Sequence, residues 1–170
     1  MSFAEQWAKD FIAEYKLQKI DDWWNKLTNQ PDSAWTYRIA ELLRALSNKM
    51  GFQMEYDIST DFSWYKQGVM HPHIAIEHEN TYSDEVYKDE LPKLLASGAQ
   101  LKVLITYVKQ GSENCLVNRI QESYRKPCVE CELETRQATE EFLLLLDDPE
   151  GSKANWRAYI FFPNGKLKHI

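Results

Sequence analysis

The chain has 170 residues and a formal net charge of −6, with 44% hydrophobic residues, six Trp and nine Tyr. That length points to one domain able to bury roughly 70% of its unfolded surface, and this content of large apolar side chains excludes a disordered chain. The acidic balance argues against a surface that holds nucleic acid throughout, and no apolar run approaches the ~20 residues of a membrane span. The N-terminus shows no basic-then-apolar signal pattern. Three cysteines suit a reducing compartment better than a disulfide framework, so a cytoplasmic location and no membrane partner are expected.

Ser2 is placed to cap a first helix in which Phe3, Trp7, Phe11 and Tyr15 recur every four residues. A short helix is predicted over Asp21 to Asn29, followed by loop chemistry in Asn29-Gln-Pro-Asp-Ser33. Ser33 then caps a predicted helix from Ala34 to Met50, with Ile39, Leu42, Leu43 and Leu46 as its apolar stripe and Gly51 at its C-terminal end. Phe52 to Ser59 and Asp61 to Tyr65 alternate as strands with a break near Thr60, and Gly68 and Pro72 mark a turn. His73 to Asn80 is a third strand.

A helix is expected to begin near Asp89, because Pro92 then falls in its first turn, where a missing N–H costs little; Gly98 ends it. Leu101 to Val108 is apolar and β-branched almost throughout, as in a strand buried on both faces. Asn114 to Tyr124 is predicted helical and is stopped by Pro127. Glu141 to Leu146 and Trp156 to Phe162 are predicted strands, with Asn164-Gly165 as a hairpin turn. This order implies an α/β fold, a mixed central sheet flanked by helices, with His73 to Val108 forming a parallel crossover.

The chemistry is concentrated in His73-Ile-Ala-Ile-Glu-His-Glu-Asn80. Strand side chains alternate faces, so Ile74 and Ile76 can enter a core while Glu77 and Glu79 point the other way. Asp61 lies sixteen residues before Glu77, on the preceding strand, with Asp57 as a competitor of the same parity. Acidic groups converging from neighbouring strands suit Mg²⁺ or Mn²⁺, hard cations that take oxygen ligands and assist phosphodiester hydrolysis. The carbonyl of His78 could add a ligand. His71, His73 and His78 flank this stretch and read most simply as structural histidines, with His78 facing away from the carboxylates.

These residues resemble the PD-(D/E)xK nuclease superfamily, with its restriction-endonuclease-like fold. Its pattern is a helix bearing Glu, a hairpin with Asp near the start of its second strand, a strand bearing Glu-x-Lys, a helix and a buried strand. Over residues 37 to 108, Glu41, Asp61 and Glu77 match the acids in order. Thr60 stands where Pro often precedes the Asp, and Glu79 stands in the lysine position. The resemblance implies one domain over 1–170, with a helical N-terminal extension (1–33), a nuclease core (34–108) and a C-terminal helix and strands (109–170). It also implies a metal-dependent endonuclease acting on nucleic acid, most simply DNA, as a homodimer if both strands of a duplex are cut. Asp61, Glu77 and Glu79 would be metal ligands and Glu41 would assist. At Glu79 three readings follow: a Glu-x-Glu variant in which Glu79 positions water, an inactive binding module, or a lysine displaced to Lys93 or Lys102.

Other signals are weaker. Cys128-x-x-Cys131 lacks a second pair, and Trp23, Trp24 and Trp35 read as core before base-stacking. Arg119, Arg125, Lys126, Lys153, Arg157, Lys166 and Lys168 are candidate phosphate contacts or plain solvated surface.

Overall fold

The computed structural model describes residues 1–18, 32–57, 60–80, 86–109, 111, 113–125, 140–148 and 154–170 and, of residues 32–35, 87 and 125, the backbone alone. The expected Asp21–Asn29 helix, Pro127, the Cys128/Cys131 pair, Trp23 and Trp24 lie outside the described residues, as does the side chain of Trp35.

Helix α1 (Phe3–Leu17) starts where the sequence predicts. Ser2 Oγ accepts the Glu5 N–H at 3.3 Å, and Glu141 Oε2 accepts the Ala4 N–H at 2.8 Å. Two of the N–H groups that a helix start leaves without partners are thereby satisfied, one by a distant strand. Trp7 and Phe11 are fully buried and stack at 5.5 Å. Helix α2 (Asp32–Lys49) begins slightly earlier than the Ser33 cap implied, so Ser33 lies inside it. Its stripe of Ile39, Leu42, Leu43 and Leu46 is fully buried. It ends in a tight reversal: Phe52 N–H donates to Ser47 O at 2.8 Å and Gly51 N–H to Asn48 O at 3.1 Å. This pairing needs Gly51 at φ 76°, which a residue without Cβ adopts freely.

Among the described residues seven strands form one sheet whose spatial order is the chain order: β1 (Gln53–Tyr56), β2 (Phe62–Tyr65), β3 (Ile74–Glu79), β4 (Leu101–Tyr107), β5 (Glu141–Asp147), β6 (Arg157–Phe161) and β7 (Leu167–His169). The outer pairs on both sides are antiparallel, and β3, β4 and β5 are parallel. The mixed α/β sheet expected from the sequence is therefore present. The β6–β7 turn closes through Gly165 N–H to Phe162 O, with Pro163, Asn164 and Gly165 as its loop.

Pro92 explains a departure from the expected helix among the described residues of the β3–β4 crossover. An α-helix running through it would need an N–H at Pro92 for the carbonyl of Lys88, and the ring would clash with that carbonyl. The chain instead makes a wide π turn over Val86–Glu90 before α3 (Leu91–Ala96), leaving Pro92 in the first turn of α3. Helix α4 (Glu113–Arg125) follows β4 and buries Leu116, Val117, Ile120 and Tyr124.

Two cores result, one on each face of the sheet. Helices α1 and α2 cover Ile74, Ile76, Leu101, Val103, Ile105, Leu143 and Leu145. The π turn, α3 and α4 cover Ala75, Leu104, Phe142, Leu144 and Leu146. The alternation of β3 thus separates Ile74 and Ile76 from Ala75 and Glu77. Among the described residues no helix is long and apolar enough to cross a membrane.

Candidate metal centre

Asp61 immediately precedes β2, and Glu77 is the fourth residue of β3. The antiparallel register sets Phe62 opposite Ile76; continued by one residue, it sets Asp61 opposite Glu77. Thr60 is buried and bridges the Ser63 hydroxyl at 3.0 Å, which fixes the chain as it enters β2. The main chain of β3 then holds Asp61, because the His78 N–H donates to Asp61 Oδ2 at 2.9 Å. His78 meets Asp61 through its amide, while its ring lies on the other face, buried and 3.0 Å from the Tyr107 hydroxyl.

The Asp61 and Glu77 carboxyl groups share one face of the sheet, close enough for the charge on Asp61 to act on Glu77. The charge of Glu90, the last residue of the π turn, acts on both of them. Lys93 Nζ donates to Glu90 Oε2 at 3.0 Å. Two buried carboxyl groups so placed disfavour each other's charged form, so Asp61 and Glu77 hold their protons more tightly than isolated carboxylates. Burial, followed by the charge on Asp61 and the contact with Glu90, pushes Glu77 up to about 9. Burial also raises Asp61, against the lowering effect of the His78 N–H. Glu77 is 2% exposed, and its Oε1 is buried without a hydrogen-bond partner.

Glu79 lies one pleat beyond Glu77 on the same side of β3, half-buried, beside Thr106 of β4. Beyond the action of Asp61 on Glu77, the charges that bear on this pair are those of Glu90 and Lys93. Glu41 belongs to the other layer: it sits on α2 and is paired with Arg38 at 2.5 Å. The structure therefore brings Asp61 and Glu77 together, places Glu79 on their flank and leaves Glu41 with Arg38. Asp57 accepts from the hydroxyls of Ser63 at 3.1 Å and Tyr65 at 3.3 Å, which occupies it in holding β2.

The lysine alternatives separate clearly. Lys102 is 1% exposed and donates to Ala99 O at 2.8 Å and Glu140 Oε2 at 2.9 Å. Lys93 is the one whose charge acts on Asp61 and Glu77. His73 packs against the rings of Phe3 and Phe52 in the opposite core. Of the basic residues singled out, Arg157 binds Glu113 and Val108 O, and Lys168 binds Glu5.

Glu90 was the residue that alternation could not find. It comes from a different element, thirteen residues after Glu77, and the only sequence signal is Glu90-x-x-Lys93, one helical turn long, at the start of the crossover helix.

Among the described residues no group of three or more His, Cys, Asp and Glu side chains is arranged to hold a metal ion. Mg²⁺ asks for less: one or two carboxylates, with water and substrate oxygens completing its shell. Asp61 and Glu77 are such a pair, and a buried carboxyl oxygen with no donor suits a cation. Comparison with protein-family models, with curated proteins and with solved structures found no match.

Proposed function

We propose that this chain is a restriction-endonuclease-like nuclease that hydrolyses phosphodiester bonds in DNA with the help of Mg²⁺ or Mn²⁺. The observation that carries this reading is the strand register that sets Asp61 opposite Glu77, so that adjacent strands deliver both carboxyl groups to one face of the sheet. The sequence of elements supports it: a helix, an antiparallel three-strand meander, a crossover helix and a buried strand parallel to the third.

Asp61 and Glu77 would hold the ion, which when bound supplies Lewis acidity and lowers the pKa of a water. The His78 amide keeps Asp61 oriented. Glu79 would orient the attacking water from the flank. Both ligands must give up their protons for this, so the cluster opposes loading at low pH. Glu41, paired with Arg38 in the other layer, is not assigned a part.

The test is incubation of the full chain with single- and double-stranded DNA and RNA in Mg²⁺ or Mn²⁺. Asp61→Ala and Glu77→Ala should each lower cleavage by roughly 10²-fold or more, while Asp57→Asn leaves it within about twofold. No cleavage by the wild type, or cleavage insensitive to Asp61 and Glu77, rejects the reading. Cutting of both duplex strands at one site predicts a dimer in sedimentation.

A second reading, an inactive binding module, draws on Glu79 in the lysine position and on the net charge of −6. Absence of Mg²⁺ and Mn²⁺ binding by calorimetry would favour it.

A further inference from the structure

We propose that the face of the sheet covered by α1 and α2 carries a second site, at the carboxyl ends of β3 and β4, that binds a neutral nucleoside. It lies on the opposite face from Asp61 and Glu77 and does not rest on the metal-centre reading.

Three buried polar atoms at this end of the face have no hydrogen-bond partner: His78 Nδ1, Asn80 Oδ1 and Trp156 Nε1. His78 is 7% exposed, and its Nε2 is engaged 3.0 Å from the Tyr107 hydroxyl, so Nδ1 is the atom left over. Asn80 follows His78 by two residues and so keeps to the same side of the strand. Its Nδ2 donates to Thr36 Oγ1 of α2 at 2.6 Å, which leaves Oδ1. Trp156 comes from the chain entering β6, and its ring lies 6.0 Å from that of Tyr107. A buried polar atom calls for a partner, and leaving it unmet costs about 1–3 kcal/mol. One water cannot meet all three, because they are drawn from β3 and from the approach to β6, and neighbouring strands lie about 4.8 Å apart. Asn80 and Trp156 are half-buried, so a solute can reach the cluster.

The groups define the ligand's chemistry. The amide oxygen takes a donor, the indole N–H takes an acceptor, and the imidazole nitrogen takes either according to its tautomer. The neighbouring carboxylate, Asp147, stands beside Tyr107 in the register and accepts the N–H groups of Asp148 at 2.8 Å and Asn155 at 2.7 Å. Its charge disfavours an anion, which selects a nucleoside over a nucleotide. The walls are aromatic. Trp156 meets Phe11, Tyr15 and Tyr107 at 88°, 75° and 57°, so none of these rings lies flat on the indole. A planar base stacks in that way and carries donors and acceptors on its edge.

The experiment is ¹H–¹⁵N spectroscopy of the full chain titrated with adenosine, guanosine, cytidine and uridine, each alone. At least one should shift the Trp156 indole N–H resonance saturably, that resonance being assigned by its loss in Trp156→Phe; ribose and inorganic phosphate should not shift it. By calorimetry, Trp156→Phe and Asn80→Ala should each weaken that nucleoside by about fivefold or more. Matching far-UV circular dichroism establishes that the variants fold, and the wild-type titration is decisive by itself where one does not. No saturable shift with any of the four, or wild-type affinity in either folded variant, overturns the site. A shift produced by ribose or phosphate overturns the ligand class.

Discussion

Replacing Glu77 by Gln should stabilise the metal-free protein, an unusual result for a change at a buried polar residue. In the folded chain Glu77 keeps its proton up to about 9, whereas its ordinary value is 4.5. Between those values the folded state binds more protons than the unfolded one, so stability falls as pH rises through this window. For an isolated group at pH 7 the effect would be about 3 kcal/mol. Coupling to Asp61, and screening by solvent, reduce it to roughly 1–2 kcal/mol. Gln matches the protonated side chain in shape, has no proton to lose, and its NH₂ can donate to the neighbouring carboxylates. In the presence of a chelator, Glu77→Gln should therefore melt about 2–8 °C above the wild type at pH 8. The gap should close towards pH 5. Thermal denaturation followed by circular dichroism across pH 5–9 measures it. A variant that melts below the wild type at pH 8, or a difference independent of pH, would refute the argument.

Three further outcomes follow from the packing. Lys102→Ala strands Glu140 in a half-buried site and should cost about 3–5 kcal/mol in urea denaturation, with much of the loss recovered in Lys102→Met/Glu140→Gln. Gly51→Ala meets no atom within 4 Å, so its cost is backbone conformation alone, about 1–2 kcal/mol by the same assay. Burial drives His78 down to about 3, so its imidazole should stay neutral at pH 5 in ¹⁵N spectra; because the unfolded ring protonates near 6.5, this residue removes stability as pH falls from there towards 3.

Much of the fold was legible because its signals are local. Ser2, Gly51, Gly98 and Asn164-Gly165 are terminators whose chemistry acts within a few residues, and the uniform apolar run of Leu101 to Val108 has few homes other than a two-sided core. The Asp61–Glu77 pairing was also legible, because alternation and a tight hairpin fix which side chains share a face. Glu90 was not, since its approach depends on the π turn that Pro92 imposes and on how the crossover lies over β3. Position 41 shows the opposite limit. The resemblance singled out Glu41 on this helix, but Arg38, one turn earlier, and the layer in which α2 packs decide where that carboxylate goes.

The strand order, identical to the chain order, has a consequence for how the protein acquires its site. The β1–β2–β3 meander rests on short loops and forms quickly, whereas pairing β3 with β4 requires closure of the whole crossover. Asp61 and Glu77 are thus brought face to face by the hairpin before the segment bearing Lys93 can settle over them. Folding has to gather like charges first and deliver the compensating cation second. Early protonation, or a divalent ion captured by the nascent meander, would smooth that passage, so refolding should run faster at mildly acidic pH or with Mn²⁺ than in alkaline, chelated buffer.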